Sequence, residues 1–307
     1  MRLTFLGTGG SWPTRRRGSQ SIALTYGSGS ILIDCGEGTQ RQLVQSPVSP
    51  MRIRDILITH LHGDHFLGLP GLVQTMALND RTETLNVWGP IGISRSWEMA
   101  RAMCPFTEKF ETKVHELKGG EVFQVIDLTV SCTAVKHSVP TLAYRIGEKD
   151  RTGRFHREKA VELGVPKGPL WRKLQGGENV TFKIDGRDRT VRPEQVLDPP
   201  RPGRSVVISG DTSPSEELIE LARGADVLVH EATFTSDLAG LADEVTHSTV
   251  AGAARIAKEA GVGKLVLVHS SPRYTKEESF ERYLKEAGDS FKNVIVPEDL
   301  DVLDVTR

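Results

Sequence analysis

The segment His60-Leu61-His62-Gly63-Asp64-His65 follows directly on Arg54-Asp55-Ile56-Leu57-Ile58-Thr59, a short apolar run that reads as a buried strand. Three imidazoles and a carboxylate within six residues face a single point only where the backbone turns tightly, and Gly63 is the residue expected to permit that turn. Imidazole suits zinc or another borderline divalent ion, and the carboxylate either fills a ligand position or accepts a proton from water. The hexapeptide therefore points to a sheet protein with a metal site at a strand end.

Further ligands are sought by the same logic. Val130-Ser131-Cys132-Thr133-Ala134-Val135 leads to His137, and Ser205-Val206-Val207-Ile208-Ser209 leads through Gly210 to Asp211. Asp226-Val227-Leu228-Val229 leads to His230-Glu231, and Lys264-Leu265-Val266-Leu267-Val268 leads to His269. A polar, metal-competent residue closes each apolar run.

Strands are expected near 2–6, 21–26, 30–34, 55–59, 85–88, 112–117, 121–125, 128–135 and 141–146 in the first half. Helices are expected near 66–78, where Phe66, Leu69, Leu72, Val73 and Met76 have helical spacing, and near 93–103. The second half alternates more regularly: strand 205–209, helix 215–223, strand 226–229, helix 248–260, strand 265–268, helix 276–286 and strand 292–296. Continuous Val/Ile/Leu runs indicate strands covered on both faces. The pattern by itself supports an α/β fold.

Residues 147–200 interrupt this alternation. They are richly charged, poor in apolar runs, and carry Gly164-Val165-Pro166-Lys167-Gly168-Pro169, followed by Asp198-Pro199-Pro200-Arg201-Pro202-Gly203. A structureless loop of that length is uncommon inside a compact domain and is more often functional. The formal net charge of -1 conceals an asymmetry: from Arg145 to Arg204 there are 15 Lys/Arg against 9 Asp/Glu, an excess of +6 that leaves -7 for the rest. With Arg15-Arg16-Arg17 in the loop after the first strand, this concentration of positive charge favours contacts with phosphates.

No run of about 18 apolar residues is present, so no transmembrane helix is expected. The N-terminal Met1-Arg2-Leu3-Thr4-Phe5-Leu6-Gly7 reads as a strand rather than a signal peptide. Cys35, Cys104 and Cys132 are odd in number and widely spaced, which suits buried thiols in a reducing cytoplasm better than disulfides.

The chain resembles the metallo-β-lactamase superfamily, whose signature H-x-H-x-D-H is matched at His60, His62, Asp64 and His65. Within that superfamily it is similar to the ribonuclease Z family, endonucleases that trim the 3′ end of precursor tRNA. The closer match rests on Phe5-Leu6-Gly7-Thr8-Gly9-Gly10-Ser11-Trp12-Pro13-Thr14-Arg15-Arg16-Arg17, Leu32-Ile33-Asp34-Cys35-Gly36-Glu37-Gly38-Thr39-Gln40, His230-Glu231-Ala232-Thr233 and His247-Ser248-Thr249. It runs from residue 1 to about residue 300.

The resemblance implies one metallo-β-lactamase domain over 1–307, a four-layer αβ/βα sandwich, with 147–200 as an inserted flexible tRNA-binding arm. Carried over position by position, it puts His60, His62 and His137 on one Zn2+ ion and Asp64, His65 and His269 on a second, with Asp211 bridging. Asp64 is also a candidate proton acceptor from the attacking water. His247 is the candidate acid for the departing 3′ oxygen, since imidazole titrates near neutrality, and Glu231 could orient it. The alternative for His247 is a position at the N-terminus of the alanine-rich helix, with Ser248 or Thr249 as the cap.

On the arm, Arg154, Arg157, Lys159, Lys167, Arg172 and Lys173 are the expected phosphate contacts. His230 reads as a buried, hydrogen-bonded histidine, and His115 and His156 as structural or surface residues. The expected activity is removal of the 3′ trailer from precursor tRNA, leaving a 3′-hydroxyl on the tRNA and a 5′-phosphate on the trailer. A homodimer is implied as well. The alternative is another dinuclear-zinc phosphodiesterase or thioesterase of the same fold, which would lack a basic arm of this kind.

Overall fold

Successive strand residues enter different apolar surroundings, and that alternation builds the layers. In the computed structural model, which describes residues 1–274 and 276–306, the first strands are β1 (Arg2–Gly7), β2 (Ser21–Tyr26), β3 (Gly29–Ile33), β4 (Ile53–Leu57), β5 (Leu85–Pro90) and β6 (Thr112–Leu117). There follow β7 (Val122–Val125), β8 (Leu128–Val135), β9 (Thr141–Glu148), β10 (Val180–Ile184) and β11 (Arg187–Val191). The last are β12 (Ser205–Ile208), β13 (Val227–Glu231), β14 (Lys264–Val268), β15 (Val294–Ile295) and β16 (Val302–Asp304).

Ile31 and Ile33 of β3 join one core while Leu32 joins another. Val206 and Ile208 of β12 share that first core, and Val207 faces a third. This period of two makes these central strands apolar on both faces.

Two seven-stranded sheets result, ordered β16-β1-β2-β3-β4-β5-β6 and β15-β14-β13-β12-β9-β8-β7. The core between them joins Leu3, Ile22 and Ile31 to Val206, Val229 and Val266. Helices Thr39–Gln45, Leu69–Leu78 and Ile93–Met103 cover the outer face of the first sheet through Leu43, Leu72, Met76 and Trp97. Helices Glu216–Ala222, Val250–Ala260 and Glu277–Gly288 cover the second through Leu218, Ala253, Ala257 and Tyr283. The architecture is the four-layer αβ/βα sandwich. Strands β3 to β6 run parallel, as do β12 to β15. Their carboxyl ends are therefore gathered at one edge of each sheet, where sites form in α/β proteins.

Most expected elements are present with ends displaced by two residues or fewer, and the exceptions have local causes. The helix expected at 66–78 is two helices, Gly63–Phe66 and Leu69–Leu78, because Pro70 takes the first turn of the second and starts it afresh. Gly63 does not adopt the left-handed conformation; the turn after His62 is the start of a helix, which needs no glycine. The strand expected at 292–296 shrinks to Val294–Ile295. Strand β16, which pairs with β1, and helix Thr39–Gln45 are too short for periodicity to reveal.

The alanine-rich helix begins at Val250, and the Thr249 hydroxyl caps it by accepting from the Gly252 N–H at 3.1 Å. Thr249→Ala is expected to cost about 1 kcal/mol in denaturant unfolding, with the m-value unchanged.

Residues Glu148–Gly203 form a second compact unit, a slightly wider span than 147–200. No helix or strand was expected within this stretch from its sequence pattern. The unit contains helices Arg157–Glu162 and Pro169–Gln175, the hairpin β10–β11, and its own core of Ala160, Val165, Leu174, Val180, Val191 and Val196. Its apolar residues are scattered singly over short elements, so neither period shows. Arg151 and Arg201 exchange backbone hydrogen bonds at 2.9 Å in both directions, bringing the two ends of the unit together. Among the described residues, no helix is long and apolar enough to cross a membrane. The three cysteines are free, Cys35 and Cys132 buried and Cys104 exposed.

Candidate metal centre

The side chains of the hexapeptide are aimed by a change of backbone form. His60 and His62 follow the end of β4, His62 in extended backbone, and helix Gly63–Phe66 begins immediately with Asp64 and His65 in its single turn. His137 follows β8, Asp211 follows β12, Glu231 ends β13 and His269 follows β14. All therefore sit at carboxyl ends of strands.

His60, His62, His137 and Asp211 come together with ligand atoms within 4.8 Å of one another, and so do Asp64, His65 and His269. His62 Nδ1 lies 3.0 Å from His60 Nε2 and 3.3 Å from His137 Nε2. Asp211 Oδ2 stands 3.6, 3.5 and 3.2 Å from the Nε2 atoms of His60, His65 and His269, so this one oxygen faces both groups. Asp64 Oδ2 is 3.2 Å from His269 Nε2 and 3.7 Å from His65 Nε2, and it accepts the Ser11 N–H at 2.6 Å.

These residues fit a divalent cation. His65 is fully buried and its Nδ1 pairs with Asp34 Oδ2 at 2.8 Å, yet its Nε2 is buried with no hydrogen-bond partner. With Nδ1 as the donor, Nε2 presents a lone pair to the oxygens of Asp64 and Asp211, an arrangement that needs positive charge between the groups. Burial, then neighbouring imidazoles, lowers the pKa of His60 and His62, and burial lowers that of His137, which favours the neutral form that ligates metal. Asp211 is buried, which alone would raise its pKa, but the surrounding His269, His65 and His60 hold it well below the carboxylate range. A set of imidazole and carboxylate donors, with no thiolate, suits zinc or a similar ion.

The other nitrogen of most of these rings is also held. Thr59 Oγ1 lies 3.1 Å from His60 Nδ1, the Thr246 carbonyl 2.9 Å from His137 Nδ1, and Thr233 Oγ1 3.0 Å from His269 Nδ1. Such contacts fix ring orientation before a metal arrives. Asp34, Thr59, Thr233 and Thr246 were not singled out from the sequence. Asp34 closes β3 as His60 follows β4, so the strand-end rule was able to find it; the threonines carry no comparable signal. Ser11, Asp34, Thr246 and His269 all have left-handed backbone, with φ of 65°, 58°, 56° and 57°. Local strain of this kind collects at functional sites.

Gly10 lies against the His269 ring so closely that a Cβ would overlap the imidazole. Gly10→Ala should therefore displace His269 and weaken binding of any divalent cation at Asp64, His65 and His269 by about 10–100-fold, read by chelator competition.

His247 sits beside this cluster. Its Nδ1 pairs with Glu231 Oε1 at 2.8 Å and stands 4.0 Å from Asp211 Oδ2. Burial pushes its pKa down, but the Glu231 carboxylate and then Asp211 outweigh that and raise it to about 9. Glu231 also accepts the N–H groups of Thr212, Thr233 and Ser248 and the Thr233 hydroxyl, so it is a fixed anchor. The capping alternative goes to Thr249; the Ser248 hydroxyl donates to the Thr212 carbonyl instead.

His230 is buried, with Nδ1 2.6 Å from the Glu231 carbonyl and Nε2 unpartnered. His115 stacks on Trp88 at 3.8 Å, and His156 pairs with Asp198 at 2.7 Å. Arg17 departs from the expected basic cluster: it is buried, donates to Thr8 Oγ1 and the Pro297 carbonyl, and lies 4.1 Å over the Phe280 ring. Only Arg15 and Arg16 of that triplet are exposed. Arg154, Arg157, Lys159, Lys167, Arg172 and Lys173 belong to the second unit, and all six are exposed.

Comparison with known proteins gives the family. Residues 1–147 match the family model for anti-Pycsar protein Apyc1, and residues 195–270 match the β-lactamase superfamily domain. Ribonuclease Z of Methanosarcina acetivorans is 45% identical over 305 residues, covering 99% of this chain and 98% of its own. Ribonuclease Z of Brevibacillus brevis is 42% identical over 317 residues, covering 100% and 98%. The crystal structure of the short form of human tRNase Z superposes with a TM-score of 0.71 at 27% identity over 100% of both chains. With relatives of this identity matched along nearly their whole length, the chain belongs to the ribonuclease Z family of metallo-β-lactamase-fold proteins.

Proposed function

We propose that the chain is a zinc-dependent endoribonuclease that removes the 3′ trailer from precursor tRNA, leaving a 3′-hydroxyl on the tRNA and a 5′-phosphate on the trailer. The observation that carries this reading is the convergence of two His/Asp groups on Asp211, beside a His247 oriented by Glu231, in a member of this family. His60, His62 and His137 would hold one zinc ion, and Asp64, His65 and His269 the second, with Asp211 shared between them. Bound there, the two cations would supply a nucleophile from water at neutral pH and offset the charge that builds on the phosphate.

The protein's own groups do the rest. Asp64 is kept ionised: burial opposes this, but the His269 hydrogen bond and the neighbouring His65 hold its pKa far below the ordinary value. It therefore faces the attacking water as a carboxylate, able to accept a hydrogen bond from it. Glu231 occupies His247 Nδ1, which leaves Nε2 as the nitrogen able to donate to the departing 3′ oxygen. The exposed cations of the second unit would hold tRNA phosphates, and the three free thiols suit a reducing cytoplasm.

Salt dependence tests the arm. Each lost phosphate contact should reduce the slope of log affinity against log salt by about 0.7–0.9. Replacing Arg154, Arg157, Lys159, Lys167, Arg172 and Lys173 with alanine should flatten that slope for precursor binding and cut cleavage at low substrate, with metal content intact. An unchanged slope would remove these residues from tRNA recognition.

A homodimer is part of the same reading. Val44, Leu78, Met99 and Met103, from the three helices over the first sheet, are 81%, 74%, 57% and 80% exposed, large apolar side chains on one helix layer that an interface would cover. Val44→Glu with Met103→Glu should yield a monomer in sedimentation; a dimer that persists would place the interface elsewhere.

A further inference from the structure

We propose that Trp12 is a stacking platform for a nucleobase adjoining the scissile phosphodiester, a role that rests on the endoribonuclease reading above. The other tryptophans are accounted for within the fold. Trp97 is buried, Trp88 stacks with His115 and Phe123 at 3.8 and 4.1 Å, and Trp171 packs with Phe155 and donates to the Val165 carbonyl. Trp12 is 63% exposed, and among the described residues it makes no ring contact and its indole N–H no hydrogen bond. An exposed indole offers a large flat apolar face with a polar edge, the type of side chain on which planar ligands stack.

Its position selects what that is. Gly10, two residues earlier, lies against the ring of His269, and the Ser11 N–H donates to Asp64 Oδ2 at 2.6 Å. The Trp12 N–H closes a tight turn onto the Gly10 carbonyl at 2.8 Å. At its far end the loop is tied down by the Thr14–Arg17 backbone bond at 2.8 Å and by buried Arg17. Trp12 therefore stands one residue, about 3.8 Å along the chain, from a backbone amide bonded to the metal cluster. The backbone that carries the indole is therefore pinned on both sides. Exposed Arg15 and Arg16 follow it. An aromatic face with cations close by is the combination that receives unpaired nucleotides, whose bases stack while their phosphates are neutralised.

A nucleobase on the tRNA side or on the trailer side could occupy this face, and abasic substrates separate the two. Trp12→Leu should lower kcat/KM for an intact 3′-extended precursor by about 10–100-fold, whereas Trp12→Phe keeps most of it. Two further precursors carry an abasic residue immediately 5′ or 3′ of the cleaved bond. On the one lacking the stacked base, wild type should fall toward the variant and Trp12→Leu should cost little more. On the other, the full penalty should remain. Metal content and Tm, measured alongside, should stay at wild-type values because Trp12 supports no core.

An equal penalty on all three substrates would make Trp12 a structural support, and no penalty on the intact precursor would remove it from recognition; either overturns the platform while the processing activity stands. A penalty that tracks loss of the dimer in sedimentation also overturns it, in favour of an interface. Failure of the wild type to cleave any precursor would instead remove the underlying activity, and the platform with it.

Discussion

His247→Ala is expected to slow precursor cleavage by about 10²–10⁴-fold, the range contributed by a positioned proton donor. Metal content should be unchanged, because the two ligand groups proposed above do not include His247 and its Nδ1 is already paired with Glu231. Precursor affinity should change little, since the residue lies outside the basic unit. Single-turnover cleavage with saturating enzyme isolates the chemical step and is the appropriate measurement. Glu231→Gln provides the companion result: it removes the charge that raises His247 and sets an amide NH2 against donors that both carboxylate oxygens accept, so slower cleavage should come with a lower Tm. Near-normal cleavage by His247→Ala would return that residue to a purely structural place before the helix.

Asp211→Ala should be more severe. Asp211 Oδ2 faces His60, His65 and His269 at 3.2–3.6 Å, so its loss removes the one oxygen presented to both ligand groups. It also removes the negative charge that offsets a dense cluster of imidazoles. Bound metal, measured by elemental analysis after gel filtration, should fall from about two zinc ions per chain to less than one, and cleavage should become undetectable. Asp64→Ala should lose metal mainly from the group that contains His65 and His269. Retention of both ions by Asp211→Ala, or a single tightly bound ion in fully active wild type, would contradict the shared-ligand arrangement.

Much of this was readable before any coordinates, for a physical reason. Strands buried on both faces must be continuously apolar, so the polar residue that ends each run stands out: His137, Asp211, Glu231 and His269 as clearly as His60. What was not readable depends on contacts distant in sequence. Thr59, Thr233 and Thr246 matter only because folding brings their oxygens to particular ring nitrogens. Arg17 looked like one of three solvent cations until the Phe280 ring and the Pro297 carbonyl closed over it. The core of the second unit is built from six small, scattered apolar residues, too few per element to leave a period. Gly63 shows the opposite error: a glycine was expected to permit the turn after His62, and a helix start makes that turn without a left-handed residue.

The central claim is that this site cuts precursor tRNA at the base of its trailer. Purified zinc-loaded protein should be incubated with precursor tRNA labelled separately at its 5′ end and within the 3′ trailer, and the ends of both products mapped. The account predicts one cut at the junction, a tRNA ending in a 3′-hydroxyl, and a trailer beginning with a 5′-phosphate. An intact precursor in the presence of bound metal and robust hydrolysis of small phosphodiesters or thioesters would contradict it, as would a tRNA product ending in a phosphate.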